Sequence, residues 1–162
     1  MKTLFLIRHA KSSWADMALD DKDRPLNDRG KRDAPKVGER LAKRHAKPDL
    51  ILSSPATRAL TTAQIIARKL DYEGSKILVS DRLYAVAADE LLDVIRRIDD
   101  AAERVMLIGH NPELSELAHR LSSEITHLPT CAVAEFTFDT KSWKRVGTDK
   151  PATVALEYPK GS

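Results

Sequence analysis

Leu4-Phe5-Leu6-Ile7-Arg8-His9-Ala10 sets the fold of this chain: four apolar residues in a row, then an arginine and a histidine. A strand with one wet face alternates apolar and polar side chains. A continuous apolar run reads instead as a strand buried on both faces, as in a parallel sheet covered by helices. Burial normally ends before an Arg-His pair begins, which puts residues 8 and 9 at the strand's carboxyl end. In open α/β sheets, ligands bind at that end. An arginine there can hold a phosphate and a histidine can attack it, although a solvated strand end with an incidental histidine fits residues 7–10 just as well.

Outward from this run the pattern alternates strand and helix. Residues 2–8, 49–53, 76–79 and 104–109 read as strands, the last around Val105-Met106-Leu107-Ile108. A helix capped by Asn27 or Asp28 runs to about residue 44, and Pro35 should kink it or delay its start. Ser54-Pro55 and Asn111-Pro112 each read as a helix cap followed by a first-turn proline. Their helices run to about residues 70 and 121, and residues 89–98 form another. Residues 132–139 alternate, with Ala134, Phe136 and Phe138 on one face. Residues 143–146 and 153–157 read as further strands, antiparallel and near the sheet edge. Residues 11–25 form a polar, acidic loop, and loops of that length are usually functional. The expectation is one α/β domain over residues 1–162: a three-layer αβα sandwich with a mainly parallel central sheet.

Bulk composition narrows the function classes. At 162 residues, 42% hydrophobic and 31% charged, the chain can bury a core and falls in the soluble globular class. Its single cysteine, Cys131, excludes an intramolecular disulfide and suits a reducing compartment. Residues 1–7 are too short for a secretory apolar region, and no stretch approaches the ~20 apolar residues that span a bilayer. A cytoplasmic protein with no membrane role is expected. The net charge of +3 favours anionic partners, yet lysine and arginine are dispersed among acids, as in Asp20-Asp21-Lys22-Asp23-Arg24. Nucleic-acid binders cluster their basic residues, so that class is set aside. The oligomeric state is not encoded in any feature of the sequence.

Three strand ends share a design. The first carries Arg8-His9, the second leads through Ser53-Ser54-Pro55 to Arg58, and the fourth ends in Gly109-His110-Asn111-Pro112. If those strands are parallel neighbours, two guanidiniums, two imidazoles and helix N-terminal amides meet at one edge. That assembly suits a phosphoryl group, whose spread charge is met by bidentate arginine. His9 is the candidate nucleophile, since a neutral imidazole can attack phosphorus and hold the group covalently. His110 is the electrophile or proton carrier, expected to be cationic beside the dianion. Taken singly, Arg58 reads as a surface ion-pair residue and His110 as a strand-end histidine bonded to backbone. A metal site from His9, His110, His119 and His127 lacks close ligand spacing and a carboxylate pair. Nothing in the pattern requires a metal, since the arginines supply the positive charge.

Ile7-Arg8-His9-Ala10, Ser53-Ser54-Pro55-Ala56-Thr57-Arg58-Ala59 with Thr62-Ala63, and Gly109-His110-Asn111 resemble the three core motifs of the histidine phosphatase (phosphoglycerate mutase-like) superfamily. Residues 23–34, Asp-Arg-Pro-Leu-Asn-Asp-Arg-Gly-Lys-Arg-Asp-Ala, are similar to its SixA branch of phosphohistidine phosphatases. The resemblance covers residues 3–115. It implies transient phosphorylation of His9, with Arg8, Arg58 and His110 completing the phosphate pocket, and chemistry without metal or cofactor. Ser12 on the long loop is a candidate phosphate donor, and Asn111 a candidate substrate-binding residue.

The chain departs from the family pattern twice. Ala10 replaces the glycine that usually follows the nucleophile, as is typical of the SixA-like branch. Many relatives also place a glutamate two residues after a leucine beyond the third strand, where Leu83-Tyr84-Ala85 puts alanine. An alkoxide leaving group needs that proton, whereas an imidazole leaving from phosphohistidine needs far less help. The absent carboxylate therefore favours an N–P substrate over an O–P ester, and a chain with little spare sequence to lid its site suits phosphohistidine on another protein. The runner-up is a small phosphorylated molecule with Asp81 or Asp89 as acid. A third reading is a phosphate-binding module without turnover, against which intact His9 and His110 argue.

Overall fold

The computed structural model describes residues 1–159. Six strands, β1 (Lys2–Arg8), β2 (Leu50–Ser53), β3 (Leu78–Val79), β4 (Arg104–Gly109), β5 (Val133–Phe138) and β6 (Thr153–Glu157), form one sheet in the order β3-β2-β4-β1-β5-β6. The pairs β2–β3, β2–β4 and β1–β4 are parallel, while β5 runs antiparallel to both β1 and β6. Four helices complete the layers: α1 (Asp28–Lys43), α2 (Thr57–Lys69), α3 (Ala88–Arg96) and α4 (Glu113–Leu121).

The opening run is apolar throughout because both faces of β1 are covered. Leu4 and Leu6 pack with Leu91, Leu114, Leu117 and Phe136 beneath α3 and α4. Phe5 and Ile7 point the other way, into Val37, Leu41, Ala63 and Ile66 of α1 and α2. All four of these β1 residues are almost fully buried. Each side chain of that size contributes roughly 1.5–3 kcal/mol on burial, so this short strand ties both layers together.

Register puts the functional ends level. Arg8 pairs with Gly109 across β1–β4, and Ser53 pairs with Ile108 across β2–β4. The residues following β1, β2 and β4 therefore emerge side by side on one edge of the sheet, where a doubly wound sheet places its ligand.

Several boundaries differ from the sequence-based expectation. Pro35 lies inside α1 without delaying it: the helix starts at Asp28, and Asn27 Oδ1 accepts the Gly30 N–H as cap at 2.9 Å. The carbonyl deprived of a partner by Pro35 belongs to Lys31, on the exposed face. α2 begins not at Pro55 but at Thr57, because Ser54 Oγ accepts from Ala56 N in a local turn instead of capping a helix. α4 begins at Glu113, one residue beyond Pro112, though Asn111 Oδ1 still accepts the Ser115 N–H. Residues 143–146 are not a strand. Trp143–Arg145 form a 3-10 turn whose fully buried indole donates to Ala102 O at 2.7 Å and plugs one corner of the core. The third strand shrinks to Leu78–Val79, exposed at the sheet edge. No helix among the described residues is long and apolar enough to cross a membrane.

Candidate active site

His9 follows β1 directly, and its backbone is held on two sides: His9 N donates to Gly109 O on β4, and Cys131 N donates to His9 O. Cys131 is buried in a left-handed conformation (φ 60°), with desolvation pushing its thiol up to about 12. It serves as a structural neighbour of His9, and the thiol is inert.

The His9 ring is 8% exposed, and Nδ1 lies 2.7 Å from Ala10 O. A carbonyl only accepts, so Nδ1 carries the hydrogen and the lone pair of the neutral ring sits on Nε2. Burial, then Arg58, Arg8 and Arg24, lower the His9 pKa to about 4, against an opposing push from the Ala10 hydrogen bond. The ring is therefore neutral near pH 7, the form that can attack phosphorus. Ala10 in turn donates its N–H to Thr62 Oγ1, which donates to Arg58 O, linking the nucleophile's turn to α2.

Arg8, Arg58 and His110 join His9 around a cavity of about 490 Å³. The rings of His9 and His110 stand 5.1 Å apart. Arg58, on the first turn of α2, is 6% exposed; its Nη1 and Nη2 donate to the main-chain O and to Oδ2 of Asp21. Arg8 donates from Nη1 to Leu128 O, and burial pushes its pKa down. His110 shares a 2.7 Å hydrogen bond between Nε2 and Ser54 Oγ. A cationic His110 is the expectation beside a bound dianion. In the ligand-free protein burial first, then the charge that His9 would carry if protonated and the charge of Arg58, lower its pKa to about 3, and the ring is neutral.

Among the described residues, three buried side-chain nitrogen or oxygen atoms lack a hydrogen-bond partner: Arg8 Nε, Arg58 Nε and His110 Nδ1. All three belong to this cavity. An unpaired buried polar group costs about 1–3 kcal/mol, and three residues that each carry one line the same cavity, which suits an acceptor-rich ligand.

The remaining candidates are placed as follows. Ser12 lines the cavity, and its Oγ accepts from Arg24 Nη1 at 2.7 Å. Asn111 also lines it, but its side chain bonds Leu128 O and Ser115. It braces the same carbonyl that takes Arg8. Asp81 and Asp89 lie outside the cavity lining, paired with Lys22 and Arg120, with side chains 90% and 83% exposed. His119 bonds Ile125 O, and His127 is exposed. No group of three or more potential metal ligands occurs among the described residues.

Four further residues, Ser54, Arg24, Asp21 and Tyr84, contribute without a local sequence signal for that role. Ser54 has the residue type and setting of a helix cap, yet it bonds His110. Arg24, buried and lining the cavity, donates to Asp21 Oδ1, Ser12 Oγ and Ser13 O, and lies 3.5 Å from the centre of the Trp14 ring. Asp21 gathers Arg58, Arg24 and the Tyr84 hydroxyl on one carboxylate, and Tyr84 packs edge-on against His110. The Pro25-Leu26 step after Arg24 and the acidic run around Asp21 were the available signals. Neither indicates that the loop folds back over the strand ends. Gly30 enforces that path: a Cβ there would meet Lys11 O at 2.2 Å, while Asn27 N donates to the same carbonyl.

The family model of the histidine phosphatase superfamily (branch 1) matches residues 4–91. Over 151 residues the chain is 34% identical to an uncharacterized chloroplastic protein of Arabidopsis thaliana, covering 88% of this chain and 69% of that one. Among solved structures it is 30% identical to the chain assigned as phosphohistidine phosphatase SixA from Agrobacterium tumefaciens, with a TM-score of 0.77 over 83% of this chain and 90% of that one. The protein histidine phosphatase SixA complexed with tungstate shares the fold at 21% identity, with a TM-score of 0.76 over 98% and 97% of the two chains.

Proposed function

The chain belongs to branch 1 of the histidine phosphatase superfamily, with its phosphoglycerate mutase-like α/β fold and phosphatase activity, and on that premise we propose that it removes phosphoryl groups from phosphohistidine on proteins. The observation that carries this reading is the gathering of Arg8, Arg58 and His110, each with a buried and unpartnered side-chain nitrogen, around the cavity that His9 also lines. The likeness to chains assigned as phosphohistidine phosphatases supports the choice of substrate class.

In the first step His9 Nε2 attacks phosphorus, the substrate's P–N bond breaks, and its electron pair returns to the leaving imidazole. Arg8 and Arg58 hold the equatorial oxygens, and His110 Nδ1 donates to one of them as charge builds. The Ser12 hydroxyl contributes a further donor, and Asn111 keeps Arg8 in place through Leu128 O. In the second step water attacks phospho-His9, the new P–N bond breaks, and phosphate leaves with neutral His9 restored. Arg8, Arg24 and Arg58 supply the positive charge, so no metal is assigned a part. Asp81 and Asp89, solvent-exposed and paired elsewhere, leave an alkoxide without a proton donor, which favours the nitrogen leaving group.

The test is a phosphoenzyme trap. Brief incubation with a ³²P-phosphohistidine protein should label the enzyme with an acid-labile phosphate, and His9→Ala should abolish both label and turnover, on the order of 10⁴-fold. Turnover surviving in His9→Ala sinks the mechanism. Turnover of phosphoserine protein but not of phosphohistidine protein sinks the substrate assignment.

A further inference from the structure

Asp21 sits on the short 3-10 turn Asp21–Asp23 of the long loop, remote in sequence from every strand end. Its Oδ2 accepts from Arg58 Nη2 at 2.9 Å and from the Tyr84 hydroxyl at 2.7 Å, and its Oδ1 accepts from Arg24 Nε at 3.2 Å. With its main-chain oxygen it also takes Arg58 Nη1 at 2.6 Å. The outer edge of the Arg58 guanidinium is thus committed to Asp21, and its buried Nε is left without a partner. Tyr84, which holds Asp21, touches His110 and immediately precedes Ala85. Asp21 and Tyr84 stand outside the cavity lining itself, against Arg24, Arg58 and His110, which line it.

The chemistry of the Asp21 carboxylate is the opposite of an acid's. Three donors converge on it, and they hold its pKa below the ordinary carboxylate range, the Tyr84 hydrogen bond contributing most. It cannot deliver a proton to a departing alkoxide; it can only accept. Oδ1 receives one hydrogen bond within the chain and keeps lone-pair capacity, and the side chain is about half exposed (49%). A leaving group that gains from such a neighbour carries an N–H or a positive charge.

We propose that Asp21 is the specificity-determining residue that selects phosphoramidates over phosphate esters, by accepting the N–H of the leaving nitrogen base. The inference rests on the phosphohistidine reading above and gives it a structural cause. In phosphohistidine the ring nitrogen remote from phosphorus carries a proton in the cationic form. Asp21 accepts that N–H and stabilises the cation. When His9 Nε2 forms its bond to phosphorus, the substrate P–N bond breaks and its electron pair neutralises the ring. The ring departs as neutral imidazole with its proton retained, so the step needs no acid. A departing alkoxide is instead repelled by the same carboxylate.

The experiment compares kcat/KM for a phosphohistidine protein, the small phosphoramidate ion and p-nitrophenyl phosphate in the wild type, Asp21→Asn and Tyr84→Phe. Asn keeps an acceptor for Arg58 and removes the charge. In Asp21→Asn the ratio of either N–P substrate to the aryl ester should fall about tenfold, and in Tyr84→Phe about threefold. An unchanged ratio in Asp21→Asn, with all three substrates falling together, overturns the proposal and reduces Asp21 to a brace for Arg58. A wild type active on phosphoramidate but not on the phosphohistidine protein, with the ratio still falling in Asp21→Asn, leaves Asp21 its role and removes the protein substrate.

Discussion

The floor and the rim of the cavity are built differently. On the floor, Arg8, His9, Arg58 and His110 each stand within a residue or two of a strand end or helix start. Main-chain groups fix the first two: Gly109 and Cys131 for the His9 backbone, Ala10 O for its ring, Leu128 O for Arg8, while Ser54 Oγ holds His110 and Asp21 takes Arg58 through both its main-chain oxygen and its carboxylate. At the rim, Trp14, Asp21, Arg24 and Tyr84 are held chiefly by one another, through the Asp21 carboxylate and the stacking of Arg24 on Trp14. Backbone anchoring stores geometry in the fold itself, so the floor keeps its shape whichever substrate arrives. Side-chain anchoring couples each rim residue to its neighbours, and a substrate that competes for one partner rearranges the rest. The floor accordingly sets the reaction, and the rim sets which phosphorylated group is admitted.

Substitutions that separate floor from rim test this division most strongly. After His9→Ala, the largest expected effect belongs to Arg58→Ala. It removes a buried charge-bearing donor aimed at the transferring group and should lower kcat about 10²- to 10³-fold. Arg24→Ala, which loses a guanidinium tied into the rim, should cost about tenfold and mainly raise KM. Equal losses of kcat in both variants break the distinction, because Arg24 would then belong to the floor.

Acid titration probes the floor alone. In the free enzyme kcat/KM should stay level down to about pH 5 and fall about tenfold per unit below the His9 pKa of about 4. His110, lowered to about 3, titrates later. The stability effect has the same sign. Both folded-state values lie below the ordinary histidine value of 6.5, so the unfolded chain binds more protons between 6.5 and about 4. Their contribution is fully present above pH 6.5 and is lost as pH falls through that window, which urea unfolding at pH 7 and pH 4.5 would register. An acid limb near 6.5 would mean that His9 is not buried as the structure has it.

The same contrast explains what could be read without coordinates. Leu4–Ile7 and Val105–Ile108 announce a doubly covered sheet because apolar runs have no other stable home in a domain of this size. Parallel strands then deliver Arg8-His9 and His110 to one edge by topology alone. Arg58 follows because a short turn joins its strand to its helix. The helix starts were less legible. Ser54-Pro55 carries the residues of a cap, but Ser54 is drawn to Ala56 N and His110, a tertiary partner invisible to local pattern. Residues 143–146 read as a further short strand, yet the Trp143 indole has a buried acceptor in Ala102 O and the chain turns to meet it. Asp21 and Arg24 lay beyond local reading altogether. Their partners are 37 and 12 residues away, and an acidic loop ordinarily faces solvent.

The smallest expected effect gives the finest resolution of the rim. Trp14 is 71% exposed, with its ring over the buried Arg24 guanidinium. A cation–π contact at such a site is worth roughly 0.5–1 kcal/mol, so Trp14→Ala should loosen Arg24 only modestly. The exposed indole lines the cavity and offers apolar surface at its mouth. A protein substrate can cover that surface, whereas p-nitrophenyl phosphate is too small to span from the phosphate pocket to the loop. Trp14→Ala should therefore raise KM for a phosphohistidine protein about threefold and leave kcat in place. The aryl ester should respond only through Arg24, and less. A drop in kcat shared by both substrates would show that Trp14 supports the floor through Arg24, and the boundary between the two regions would then run through the stacked pair and not outside it.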